Sequence, residues 1–170
     1  MIAHFALIYF MLKVAAMLKY GMITAPAMAT TVLLDTNFLL IPAQFGVDIF
    51  AELQRLCDFN YKVAVLEDTV KELEGIMADK TASAKNRKAA GLGVQLIKAK
   101  GVRVISAPSG ERKVFKSTDK AILEFAVAGN RLADKSVIVA TQDKDLRKSL
   151  RVHGVGVIIL RQMQHLEFYL

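Results

Sequence analysis

With 170 residues, 54% of them apolar, and a net charge of +7, the chain is long enough to bury one core and too apolar for intrinsic disorder. Its single cysteine, Cys57, excludes a disulfide framework and a cysteine-based zinc ribbon, and it agrees with a reducing, cytoplasmic setting. The charge is uneven: residues 35–79 hold nine acidic and three basic side chains, whereas residues 80–116 hold ten basic ones against the single Glu111.

Residues 1–27 differ from the rest, with Lys13 and Lys19, no acid, and an apolar run from Phe5 to Leu12. That run is too short to span a bilayer. Its lysines follow it, whereas a secretory signal places positive charge first. Met11, Met17, Met22 and Met28 all offer later start points. The expectation is an appended or over-called segment over 1–27, a single domain over 28–170, and no membrane association. A chain beginning at Met28 should then melt close to the full chain, as thermal unfolding would show. A large fall would mean that the segment packs on the core.

Val32-Leu33-Leu34 runs straight into Asp35-Thr36-Asn37, and a second apolar run, Phe38-Leu39-Leu40, follows. A continuous apolar segment of this kind predicts a parallel strand covered on both faces. Pro42-Ala43-Gln44 breaks the pattern. Val47, Ile49-Phe50, Leu53 and Leu56-Cys57 recur at helical spacing, predicting an amphipathic helix to about Phe59. Lys62–Leu66 is a second strand, and Glu67-Asp68-Thr69 opens a helix with Val70, Leu73 and Ile76-Met77 as its buried stripe. Thr81 to Lys100 predicts another helix, weakened by Gly91 and Gly93. Val102–Ile105 is a third strand. Ser117-Thr118-Asp119 caps a helix that Gly129-Asn130 stops. Val137–Ala140 is the fourth strand, with Thr141-Gln142-Asp143-Lys144-Asp145-Leu146 opening a helix behind it. Gly154–Leu160 is the fifth. Strands alternating with helices mean βαβ units and a parallel sheet.

In such a sheet the strand ends and the first turns of the following helices share one rim, where ligands bind. Asp35, then Glu67, Asp68 and Glu72, then Asp119, then Asp143 and Asp145 all fall there. No strand end supplies a His or Cys. Converging carboxylates repel one another unless a cation holds them, and hard oxygen ligands select Mg2+ or Mn2+. Taken singly, each acid has a structural explanation: Thr69 and Glu72 fit a capping box, and Asp119 and Asp143 sit where helix dipoles favour anions. Taken together, they favour a metal. Spacing alone does not choose between Asp68 and Glu72.

Other chemistries lack their residues. There is no Gly-rich dinucleotide fingerprint and no P-loop. Asn37 stands where a phosphoaspartyl phosphatase needs a second Asp. His153 and His165 stand apart from the acids, and no serine elbow exists for a triad.

Leu33-Leu34-Asp35-Thr36-Asn37, Thr69-Val70-Lys71-Glu72-Leu73-Glu74, Asp119 and Ile138-Val139-Ala140-Thr141-Gln142-Asp143-Lys144-Asp145-Leu146 resemble, in order, the motifs of PIN-domain nucleases. The resemblance covers residues 31–160 and comes nearest to the archaeal and eukaryotic rRNA-processing PIN proteins, with VapC-like toxins next. It implies an α/β/α sandwich on a central five-stranded parallel sheet, and a Mg2+- or Mn2+-dependent endoribonuclease. It assigns metal binding and catalysis to Asp35, Glu72, Asp119 and Asp143, with Thr141 and Asp145 in support and Asn37 orienting Asp35. The alternatives it leaves are a toxin ribonuclease or an inactive scaffold that binds RNA or protein.

The expected substrate is an rRNA precursor or other structured RNA. Lys80, Lys85, Arg87, Lys88, Arg112, Lys113 and Lys116 are the expected contacts to its backbone; a solvated helix face is the plainer reading of such a run. Homodimers are common in the family. A toxin would take an antitoxin partner, and an rRNA processor a ribosome-assembly partner.

Overall fold

The computed structural model describes residues 30–106, 118–131 and 136–169. The segment 1–27 therefore lies outside the described residues, as do Arg112, Lys113 and Lys116. Among the described residues, six strands form one sheet in the order β3-β2-β1-β4-β5-β6. They are β1 (Thr30–Leu34), β2 (Tyr61–Leu66), β3 (Arg103–Ile105), β4 (Val137–Ala140), β5 (Gly156–Arg161) and β6 (His165–Tyr169). The first five are mutually parallel, and β6 runs antiparallel to β5. The expected five-stranded sheet thus gains an edge strand. A turn through Gln162 and Met163, both with positive φ, folds it back.

Successive residues of β1 feed opposite faces, as the period of a strand requires. Val32 and Leu34 enter one core with Phe38, Ile49, Leu53, Leu73, Ala90 and Ile97. Leu33 enters the other with Ile122, Ala126, Leu146 and Leu150. The first layer comprises α1 (Thr36–Leu39), α2 (Ile41–Phe45), α3 (Ile49–Leu56), α4 (Glu67–Ala78) and α5 (Ala84–Ala99). The second comprises α6 (Thr118–Arg131) and α7 (Lys144–Val152). This is the α/β/α sandwich. Among the described residues, no helix is long and apolar enough to cross a membrane.

Several local expectations change. Of the run Phe38-Leu39-Leu40, the first two end α1 and Leu40 is the turn into α2; the run is buried, and periodicity cannot tell such a run from a strand. Pro42 does not break the chain; it sits in the first turn of α2, where its missing N–H costs nothing. Thr69 and Glu72 form no capping box: α4 starts at Glu67, and the buried Thr69 hydroxyl has no hydrogen-bond partner. Helix α5 is unbroken, and a Cβ at Gly93 would stand 3.4 Å from the Leu39 carbonyl, so glycine lets α5 approach the end of α1.

Gly129 and Asn130 do not end α6, which continues to Arg131. Instead they dock it on β4. Asn130 Oδ1 accepts from Val137 N at 2.6 Å, and its Nδ2 donates to Val137 O at 3.1 Å. A Cβ at Gly129 would stand 2.6 Å from Val137 Cγ2, a stiff β-branched atom that cannot swing away. Gly129→Ala should cost about 1–3 kcal/mol despite its better helix propensity. Urea unfolding measures it, and a neutral or stabilised variant would show that α6 slides freely on β4.

Candidate active site

The sheet order reverses between β1 and β4: the chain continues to β2 and β3 on one side and to β5 on the other. Open α/β sheets bind ligands at that switch point. Leu34 pairs with Ala140, so the next residues, Asp35 and Thr141, leave the sheet side by side. Asp35 N donates to Ala140 O at 3.0 Å, and Thr141 N to Ile158 O at 3.1 Å, which fixes both departures.

Asp35 is 1% exposed. It caps α1, with Oδ1 accepting from Thr36 N at 2.6 Å and Oδ2 accepting from Thr141 Oγ1 at 2.7 Å. The same Thr141 hydroxyl accepts from Asp143 N at 3.0 Å. Asp143 in turn caps α7, its Oδ1 accepting from Asp145 N at 2.9 Å and Leu146 N at 2.7 Å. One threonine therefore ties the acid at the end of β1 to the acid that follows β4. Glu72, on α4, reaches the same place: its Oε2 accepts from Thr36 Oγ1 at 2.8 Å. Asp119 lies in the first turn of α6.

Burial pushes the Asp35 carboxyl up to about 6; the charges of Asp119 and Glu72 push the same way, against the hydrogen bonds from Thr141 and Thr36. Asp119 is also raised, by partial desolvation and then by Asp143 and Glu72. The four acids thus share one electrostatic environment. Among the described residues, no three His, Cys, Asp or Glu side chains stand as a ready-made metal cage. The donor set is nonetheless of the right chemistry for a hard divalent cation, since every oxygen is a carboxylate. Asp35, Glu72 and Asp143 are already oriented by hydrogen bonds.

Tertiary structure separates the acids that spacing could not. Asp68 pairs with Lys71 on its own helix at 3.8 Å, and Glu67 accepts from Ser106 Oγ at 2.6 Å, whereas Glu72 reaches Thr36. The Asp145 carboxylate is directed to solvent and pairs with Lys148 at 3.6 Å. Asn37 is exposed, and the bonds that orient Asp35 come from Thr36 and Thr141. Thr36 was missed in the sequence, although a hydroxyl directly after a capping Asp is well placed to reach outward. Of the basic run, Lys80, Lys85 and Lys88 are exposed. Arg87 is half-buried and donates to the carbonyls of Lys80 and Ala82, pinning the turn between α4 and α5.

A family model described as a PIN like domain matches residues 32–163. Ribonuclease VapC4 of Methanocaldococcus jannaschii is 26% identical over 135 residues, covering 79% of this chain and 93% of that protein. The structure of the PIN domain endonuclease Utp24 resembles this one with a TM-score of 0.61 at 18% identity, over 81% of this chain and 90% of that one. That last likeness bears on the fold alone. The family match runs from β1 into the β5–β6 turn and contains every acid of the rim: the chain belongs to the PIN-like domain family.

Proposed function

We propose that the chain is a Mg2+- or Mn2+-dependent endoribonuclease of the cytoplasm that hydrolyses RNA phosphodiesters, with an rRNA precursor as its substrate. The observation that carries the reaction is Asp35: a buried carboxylate at the sheet's switch point, held by Thr36 and Thr141 and repelled by Asp119 and Glu72. Such an arrangement is costly to a protein that makes no use of it.

Asp35, Glu72, Asp119 and Asp143 would hold the cation. A divalent ion bound there would make a water more acidic and would offset charge developing on the phosphoryl group. Thr141 keeps Asp35 and Asp143 in register, and Thr36 does the same for Asp35 and Glu72. No side chain of the rim need become a nucleophile. The test is cleavage of end-labelled RNA by the purified chain with Mg2+ or Mn2+ against the same reaction with EDTA. Cutting that is indifferent to chelation would overturn the metal, and no cutting of any RNA would leave the binding scaffold.

Similarity to Ribonuclease VapC4 favours a second reading, a toxin-type ribonuclease held by an antitoxin. Growth arrest on expression of the chain, relieved by Asp35→Asn, supports it over rRNA processing. Accumulation of unprocessed rRNA precursor on depletion supports the first.

Lys80, Lys85 and Lys88 are exposed on and beside the first turns of α5 and are proposed to contact RNA phosphates. Affinity for single-stranded RNA should then fall with salt, with a log–log slope of roughly −0.7 per phosphate neutralised. Replacing the three lysines with glutamine should flatten the slope by about two. An unchanged slope in a fluorescence-anisotropy titration would show that the run is only a solvated face.

A further inference from the structure

Beside the acid rim lies a cavity of about 270 Å³ between α1–α2 and the β5–β6 turn. It is smaller than the roughly 300–1,000 Å³ of sites for drug-sized ligands, which suits one flat ring system. Its walls include three carboxamides, Asn37, Gln44 and Gln142, together with Phe45 and Met163. Asn37 follows Asp35 by two residues, and Gln142 stands between Thr141 and Asp143. The loops that supply two of the acids therefore also supply two walls of the cavity.

Each carboxamide offers donors and an acceptor on one planar group. Gln142 Nε2 is directed at Leu160 O, 3.4 Å away, which leaves its Oε1 to accept from a ligand. Phe45 is 42% exposed and Met163 is 61% exposed, so both offer apolar surface to whatever enters. The backbone gives a separate sign. Gln162 and Met163 have φ of 49° and 58°, in a turn closed by Gln164 N donating to Arg161 O at 3.0 Å. Both central positions of such a turn favour Asn and Gly, and neither is present. Residues kept in the left-handed region against their preference point to a role for the turn. Here the turn is what sets Met163 at the cavity.

We propose that this cavity is a nucleobase subsite: it takes one unpaired base of the RNA next to the phosphodiester at the acids. The base stacks against Phe45 and Met163, and Asn37, Gln44 and Gln142 read its edge. A paired base has its edge occupied and cannot enter, so unpaired RNA is the form bound. The identification of RNA rests on the nuclease reading; the cavity's chemistry, amide edges around an apolar slot, is independent of it.

The probe is a short single-stranded oligoribonucleotide carrying one 2-aminopurine, against the same strand with an abasic site at that position. Both are titrated in EDTA with Asp35→Asn protein, which removes cleavage and one repelling charge. The base-bearing strand should bind roughly tenfold tighter than the abasic one, with 2-aminopurine fluorescence quenched on stacking. Adding Phe45→Ala, or Gln44→Leu with Gln142→Leu, should abolish that advantage and leave abasic binding unchanged. Circular dichroism confirms that each variant is folded; Phe45 is exposed enough for the first to be so. Equal affinity for the two strands, or an advantage that survives both variants, overturns the subsite. Native protein that cuts RNA without such an advantage overturns the subsite and spares the nuclease reading. An advantage in a protein that never cuts supports the subsite and overturns the nuclease.

Discussion

Asp35→Asn should leave a folded protein whose RNA cleavage is reduced by roughly a thousandfold. The substitution keeps the shape of the side chain and deletes the charge at the one acid of the rim that is fully buried. The oxygen of the introduced amide can still accept from Thr36 N, so the cap of α1 survives. The amide nitrogen would face the Thr141 hydroxyl, which already accepts from Asp143 N and must now give up its own acceptor. If the acids hold a cation as proposed, the loss falls on the charge offered to it and not on the fold. Without metal, stability at neutral pH should hold or rise by about 1–3 kcal/mol, because a desolvated charge repelled by Asp119 and Glu72 has gone. Single-turnover cleavage in Mn2+ and melting temperature in EDTA read the two effects separately. Cleavage at the native rate would remove Asp35 from the chemistry. A variant that fails to fold would show the carboxylate to be structural.

The five parallel strands were legible because each is a short apolar run bounded by turn residues. Asp35 and Asp143 were legible as strand-end acids because they follow β1 and β4 within one and three residues. What escaped depended on tertiary contact. β6 was unread because the turn before it, Gln162-Met163, carries none of the residues that mark tight hairpins, so no signal announced the fold-back. Glu72 could not be chosen over Asp68 from spacing, since the choice is made by the hydroxyl of Thr36, 36 residues away in the chain. Gly129 and Asn130 read as a stop because that is what the pair does at a free helix end; against β4 the same two residues serve close packing and a backbone clamp. The family resemblance gives Asn37 the role of orienting Asp35, yet it is exposed and lines the neighbouring cavity.

Metal-free stability should fall as pH rises from about 4 to about 6 and then level off, against the usual direction for a carboxylate. The sign follows from Asp35. Its folded-state pKa of about 6 lies above the ordinary 3.8, so within that window the folded chain binds more protons than the unfolded one. Stability then declines with pH, and the gap corresponds to roughly 3 kcal/mol if Asp35 acts alone. Asp119, shifted the same way but exposed, adds little. On the acid side the trend reverses. Glu52, held low by Arg55 and by Leu166 N, and Asp79, held low by Thr81, contribute stability that is lost as pH drops through their depressed values. Without metal, the native chain should therefore be more stable at about pH 5 than at about pH 8. On the proposed metal site, Mg2+ or Mn2+ would compete with the proton at Asp35, so it should raise the melting temperature strongly at about pH 8 and little at about pH 5. In Asp35→Asn both the decline and the metal response should be much reduced. Melting curves across this range, with and without Mn2+, decide it: a native chain equally stable at both ends and indifferent to the ion would mean that the rim acids neither share a proton-binding environment nor hold a cation.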